Sequence, residues 1–255
     1  MTSGLLALAE RPATAGLFTD FDGTLSPIVA DPAAASPVDG ALEALAALAA
    51  RIARVGVLSG RPLSFLDDRF PEPLVLAGLY GLEVREGGTR RDHPEAGAWR
   101  DIVSDVVQAG PSGPDGMHVE NKGLSVTLHY RGRPELEPAI VEWAEHQAAR
   151  SGLELRPAKM SVELHPPIEA DKGTTLEALA AGLDAVAFLG DDVGDLSAFD
   201  ALDRLAAIGI TTVRVAVRAT EQSDELVARA DVVVDGPEGA LALVRELVDA
   251  IHQPG

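Results

Sequence analysis

Hydrophobic positions along the chain fall into two patterns, and each predicts a different kind of element. Toward both ends, short unbroken apolar runs alternate with longer stretches whose leucines and alanines recur at helical spacing. The runs AGLFTD, RVGVLSG and PLVLAG come first, and AVAFLGD, TTVRVAV and DVVVDG come later. Between the first two, Val38 to Arg51 carries Leu42, Leu45 and Leu48 along one helical stripe. Pro62 stands where it can open a helix, Thr174 to Ala181 reads as another, and a last one runs from about Glu238 to Ile251. Unbroken strands alternating with helices predict an α/β fold whose parallel sheet is covered on both faces.

The middle of the chain has period two instead. From about residue 90 to residue 167, apolar and polar residues alternate strictly, as in half-exposed antiparallel strands. In LSVTLHYR, Leu124, Val126, Leu128 and Tyr130 share one face, while Ser125, Thr127, His129 and Arg131 share the other. His118, Glu120 and Lys122 fall together in MHVENK, and Ser161, Glu163 and His165 fall together in SVELH. Helical stretches at Ala96 to Ala109 and Glu135 to Arg150 can cover the apolar side. The expected organisation is a core of residues 1–89 and 168–255, interrupted by an α+β cap of residues 90–167 with one polar sheet face uncovered. A solvated sheet face is the plain alternative for those polar residues, and Lys159 with Glu163 can equally form a surface ion pair worth little.

Composition narrows the function. Acidic residues outnumber basic ones 40 to 21, for a formal charge of −19. Such a field repels nucleic acid and anionic membranes, so neither is an expected partner. An anionic small molecule needs local cations or a metal to overcome it. With no cysteine, disulfides, thiolate catalysis and cysteine-ligated zinc are excluded. No apolar stretch reaches the ~18 residues of a membrane span. The opening MTSGLLALAERP has no basic residue ahead of its apolar run, so a secretory signal is not expected and a cytoplasmic location is.

Four features fall where open α/β sheets bind their ligands. They are Asp20 and Asp22 with Gly23 behind them, Ser59-Gly60-Arg61, Lys172 at a helix start, and GDDVGD from Gly190 to Asp195. Asp20, Asp22 and Asp191 form an all-oxygen donor set that suits Mg²⁺, and a divalent ion relieves their mutual repulsion. Ser59, Arg61 and Lys172 suit the outer oxygens of a phosphate, and amides around Asp22 and Gly23 can add a backbone nest. Metal, cations and a free carboxylate together supply what phosphoryl transfer requires.

In this order, DFDGT, LSG, Lys172 and GDD…D resemble the haloacid dehalogenase superfamily of phosphohydrolases. The resemblance implies a Rossmann-like parallel-sheet core with an inserted α+β cap whose polar face forms a roof over the metal. It implies Asp20 as nucleophile, forming an aspartyl-phosphate, and Asp22 as the acid that protonates the leaving alcohol and then activates water. Mg²⁺ would rest on Asp20, the Asp22 backbone carbonyl and Asp191, while Ser59 and Lys172 hold the phosphoryl group. More narrowly, FDGTLSPI, AGLYGLEVR, VENKGLSVTLHYR, KMSVELHPP and DKG resemble the trehalose-6-phosphate phosphatase family. That implies a sugar-phosphate substrate, with Glu120, Lys122, Lys159 and Glu163 gripping disaccharide hydroxyls. The chain departs from that pattern at Tyr80, where the family usually has His, and at Gly194 and Leu196, where it usually has Thr and Glu. Other readings are a phosphatase for another phosphorylated disaccharide, pseudo-disaccharide or glycosyl-phosphoglycerate, and a phosphomutase. A different class is a non-enzymatic sugar-phosphate sensor or a subunit tethered to a trehalose-phosphate synthase, the one protein partner suggested.

Overall fold

A computed structural model describes residues 2–29, 31–158, 160–218 and 224–252. In chain order, α1 (Ser3–Glu10), β1 (Ala15–Thr19), α2 (Ala41–Ala49), β2 (Arg54–Leu58), α3 (Leu63–Asp67) and β3 (Val75–Gly78) come first. Two short strands, β4 (Glu83–Glu86) and β5 (Thr89–Asp92), follow. The middle holds α4 (Arg100–Ala109), β6 (His118–Asn121), β7 (Val126–His129), α5 (Glu137–Ser151), β8 (Glu154–Ala158) and β9 (Ser161–His165). The last part holds α6 (Lys172–Leu179), β10 (Ala185–Gly190), α7 (Leu196–Ala207), β11 (Thr211–Arg218), α8 (Asp224–Arg229), β12 (Val232–Asp235) and α9 (Gly236–His252).

The chain divides into two compact units: the described residues up to Arg91 with those from Ala170 onward, and Asp92–Glu169. In the first unit an eight-stranded sheet runs in the order β12-β11-β10-β1-β2-β3-β4-β5. The strands from β12 to β3 pair in parallel, and β4 returns antiparallel to β3. The chain walks outward from β1 in one direction and from β10 in the other. The order therefore reverses between β1 and β10, and a crevice opens at their carboxyl ends.

Strand alternation builds two apolar layers from these runs. Leu17, Val57, Ala187, Leu189 and Val215 pack with α1, α2, α3 and α9 on one face. Phe18, Leu58, Val186, Phe188 and Ala216 pack with α6, α7 and α8 on the other. Each fully buried large side chain contributes on the order of 1.5–3 kcal/mol from water exclusion, so the strands that carry the site are its most firmly held parts. The pair β4 and β5 escapes an apolar-run reading because EVRE and TRRD are charged. Gly87 and Gly88, both at positive φ, make its turn.

In the second unit a four-stranded antiparallel sheet has the order β6-β7-β9-β8. Its apolar side, with Val126, Leu128, Val162 and Leu164, packs against Val103 and Val106 of α4 and Ile140 and Ala144 of α5. The expectation of an uncovered polar face holds only in part: Ser125, Thr127, Ser161, Glu163 and His165 are buried, whereas Glu120, Lys122 and His129 are half-buried and His118 and Arg131 exposed. Alternation reports which side chains share a face but not what encloses them. Among the described residues, no helix is long and apolar enough to cross a membrane.

Candidate active site

Strand register brings the first and last acids of the pattern together. β1 and β10 pair with Thr19 opposite Leu189, and the Asp20 amide donates to the Leu189 carbonyl at 2.8 Å. Asp20 and, one residue beyond Gly190, Asp191 thus leave adjacent strands at the switch point. Lys172 arrives from the first turn of α6, which begins where it does because Asp171 caps it. The Asp171 carboxylate accepts the Thr174 amide at 2.7 Å, and the Thr174 hydroxyl accepts the Asp171 amide at 3.0 Å. Gly173 lets that turn sit against α7, since a Cβ there would stand 2.3 Å from the Ser197 carbonyl oxygen.

Lys172 Nζ lies 2.9 Å from Asp20 Oδ1 and 2.6 Å from Asp195 Oδ1. The other Asp195 oxygen accepts the backbone amides of Asp191 at 2.9 Å and Asp192 at 3.2 Å. The Thr24 hydroxyl donates to Asp191 Oδ1 at 2.9 Å. Asp20, Lys172, Asp191 and Asp195 are all buried. Burial pushes the Asp20 carboxyl well above the usual carboxylate range, against the pull of Lys172. Burial, then the Asp195 and Asp192 charges, push Asp191 up to about 7. Burial raises Asp195 as well. For Lys172, burial works against its charge, but Asp195 and Asp20 outweigh it and hold the ammonium well above its ordinary value. Among the described residues, three buried carboxylates share one lysine, so acid groups outnumber the cation that faces them.

This donor set fits a hard cation. Carboxylate oxygens of Asp20, Asp191 and Asp195 lie within 4.8 Å of one another, with no nitrogen or sulfur among them. Asp195 commits both oxygens to Lys172 and the two amides, so it orients the group, and Asp20 and Asp191 are the better ligands. The Asp22 carboxylate does not join them. It is gripped by Arg61, whose Nε and Nη2 each donate at 2.7 Å to a different oxygen.

Other expected residues take specific places. Ser59 lies buried just beyond β2, its hydroxyl accepting the Arg61 amide at 3.2 Å. The Gly23 amide donates to the Ser26 carbonyl at 2.8 Å, so it is not part of an anion nest. What demands glycine there is a φ of 85° and proximity: a Cβ would lie 2.0 Å from an Asp191 oxygen. In the second unit, Glu120, Thr127, Glu163 and Arg156 form one cross-strand row. Lys122 Nζ is 3.5 Å from Glu163, the Ser125 hydroxyl donates to Glu163, and Glu120 pairs with His129 Nε2 at 2.7 Å. Lys159 lies outside the described residues.

Sequence reasoning gave no role to Thr24, although it completes DGT, nor to Asp195 as the partner of Lys172. Leu79 and Tyr80 hold consecutive left-handed conformations, with φ of 49° and 59°. The amides of Leu79 and Tyr80 donate to the Arg61 and Ser59 carbonyls at 2.9 and 3.0 Å, and Thr175 donates to the Tyr80 carbonyl at 2.9 Å. Strain of this kind costs about 1–3 kcal/mol per residue and persists where surroundings impose it. The departures Gly194 and Leu196 leave the fourth motif intact: Asp192 accepts the Gly194 amide at 2.8 Å, and Leu196 opens α7.

The chain is similar to known proteins. A trehalose-phosphate phosphatase of Mycobacterium ulcerans is 36% identical over 235 residues, 86% of this chain and 57% of that protein. One of Mycobacterium avium is 34% identical over 99% of this chain and 66% of that protein. The chain thus spans roughly three-fifths of the length of these curated relatives. The solved C-terminal domain of the C. albicans trehalose-6-phosphate phosphatase superposes with a TM-score of 0.77. It covers 96% of both chains at 24% identity, a likeness of fold. A family model described as trehalose-phosphatase matches residues 18–232, a span that takes in every acid of the cluster, and the chain belongs to that family.

Proposed function

We propose that the chain hydrolyses trehalose 6-phosphate to trehalose and phosphate through an aspartyl-phosphate on Asp20. The observation that carries this reading is the buried link Asp20–Lys172–Asp195 beside Asp191 in a chain of this family. Asp20, Asp191 and the Asp22 backbone carbonyl would hold Mg²⁺, which supplies positive charge to the phosphoryl oxygens when bound.

In the first half-reaction an Asp20 oxygen attacks phosphorus, the bond from phosphorus to the sugar oxygen breaks, and Asp22 gives that oxygen its proton. In the second, Asp22 takes a proton from the water that attacks phosphorus, which releases phosphate and returns Asp20 to a carboxylate. Lys172 and Ser59 hold the phosphoryl oxygens, and the charge of Lys172 works against the burial that disfavours ionised Asp20. Glu120, Lys122, Lys159 and Glu163 contact sugar hydroxyls through charge-assisted hydrogen bonds. Tyr80, on the strained turn beside Ser59, favours a second reading in which the ester is another phosphorylated disaccharide or pseudo-disaccharide. Phosphate release from trehalose 6-phosphate, sucrose 6-phosphate and glucose 6-phosphate, with Mg²⁺ and with chelator, tests both. Trehalose 6-phosphate should be the preferred ester and chelation should stop turnover; equal rates on all three would overturn the assignment.

A further inference from the structure

Asp22 has to act on a proton twice in this scheme, yet its carboxylate stands apart from the acid cluster and is held by one guanidinium. Arg61 reaches it with two N–H donors, one on each oxygen and both at 2.7 Å, which fixes the plane of the carboxylate as well as its position. A carboxylate offers about four lone-pair directions. With one taken on each oxygen, the others stay available to a leaving alcohol or a water. An arginine has several rotatable bonds, however, and a fork this well placed needs support of its own.

The chain supplies it at four-residue spacing, in Arg61, Phe65 and Arg69. The Arg61 guanidinium carbon lies 4.5 Å from the centre of the Phe65 ring. Arg69 lies 3.5 Å from the same ring centre and is itself anchored. It donates to the carbonyls of Ala35 and Ala33 at 2.8 Å and of Phe65 at 3.1 Å. The ring meets Phe21 edge to face at 5.6 Å, and Phe21 is the fully buried residue between Asp20 and Asp22. Phe65 thus touches both the guanidinium that holds Asp22 and the side chain of Phe21, the residue just before Asp22.

We infer that Arg61 is the positioning residue of Asp22, and that Phe65, held by Arg69, fixes Arg61 in that role. The inference rests on the reading of Asp22 as the group that moves the proton. It differs from a role for Arg61 as a phosphate ligand, because help with proton transfer matters most when the leaving alcohol is poor and little when it is good.

The test uses the full chain with Mg²⁺ and compares wild type with Arg61→Gln, Phe65→Leu, Phe65→Tyr and Asp22→Asn. First-turnover release of the alcohol is followed for esters ranging from p-nitrophenyl phosphate to trehalose 6-phosphate, and inhibition by inorganic phosphate is measured alongside. Arg61→Gln should lose about ten- to a hundredfold on the poorest leaving group and little on the best. Phe65→Leu should follow the same slope at about three- to tenfold, and Phe65→Tyr, which keeps the ring face, should restore it. Phosphate inhibition should be the same in all of these. Weaker phosphate inhibition in Arg61→Gln with an unchanged leaving-group slope would overturn the inference and make Arg61 a phosphate ligand. Equal loss on every ester in Phe65→Leu would reduce that ring to a packing role. If Asp22→Asn keeps the wild-type slope, the reading of Asp22 fails and takes the inference with it; a steep slope in Asp22→Asn with a flat one in Arg61→Gln would overturn the inference alone.

Discussion

Replacing Asp191 by Asn should make the metal-free protein more stable, and by an amount that grows with pH. Asp191 is 4% exposed, beside Asp195 and Asp192, and its carboxyl is pushed from an ordinary 3.8 to about 7. A folded-state value above the unfolded one means that the folded protein binds the proton more tightly. Stability from this group is complete below about pH 4 and is lost as pH rises through about 7. The full difference is about three pH units, or roughly 4 kcal/mol at 1.36 kcal/mol per unit. Protonation of neighbouring carboxylates shares some of this, which brings it to about 2–4 kcal/mol. Asn keeps the shape and can still accept the Thr24 hydroxyl, but it does not titrate. Urea unfolding of both proteins in chelator, from pH 5 to pH 8, measures the difference. The advantage of Asp191→Asn should widen by about 2–3 kcal/mol over that range. Saturating Mg²⁺ should offset most of it, because a ligand at about a hundred times its dissociation constant adds roughly 2.7 kcal/mol to the form that binds it. A stability gap that stays flat from pH 5 to pH 8 would refute the charge argument, whatever the activity of the variant.

Three further outcomes follow from the same geometry. Asp20→Asn should fold normally by circular dichroism and lose several orders of magnitude in turnover, since the amide is a poor nucleophile; near-normal phosphate release would remove the covalent route. Lys172→Met should unfold at lower urea concentration by about 3–5 kcal/mol in metal-free protein at neutral pH, because it leaves buried carboxylates unpaired, and unchanged unfolding would show that the pair contributes nothing. Glu163→Ala and Lys122→Ala should each lose about ten- to a hundredfold in kcat/KM on trehalose 6-phosphate, roughly 1.5–3 kcal/mol for a charged hydrogen bond. Both should leave an aryl phosphate nearly unaffected, so equal losses on the two substrates would count against sugar recognition.

The strands and the acids of the site were legible because two signals coincide there. Unbroken apolar runs mark strands buried on both faces, and residues at their ends have to face the crevice, so Asp20, Ser59 and Asp191 could be placed from spacing alone. The charged pair β4 and β5 gave no such signal, since neither of its faces is apolar. Burial of Glu163 and Thr127 was equally invisible, because alternation sorts residues by face and is silent about cover. The pairing of Arg61 with Asp22 was not legible for a different reason. Both residues looked like ligands of something absent, and a separation of 39 positions hid that they pair with each other. Asp195 was legible as an acid but not as the partner of Lys172, which depends on α6 starting beside the end of β10.

Charge ties these observations to chemistry. A protein with a formal charge of −19 has no general attraction for a phosphate ester, and the acid cluster on its own adds to the repulsion. Among the described residues one buried cation, Lys172, faces Asp20, Asp191 and Asp195, and Arg61 is engaged with Asp22. Stability alone argues against such a design: apolar residues of similar size in place of a buried ion cluster often leave a protein as stable or more so. The cluster makes physical sense as half of a site whose other half is a divalent cation. With that charge bound, the surplus of carboxylates would become a ligand set, Asp20 would be favoured as the ionised nucleophile of the proposed reaction, and the crevice between β1 and β10 would no longer repel an anion. The same reasoning explains why Asp22 is kept apart on its own arginine. In the proposed reaction Asp22 gives and takes a proton, which a cluster of buried carboxylates sharing one lysine would hinder, and the fork of Arg61 holds its carboxylate outside that cluster.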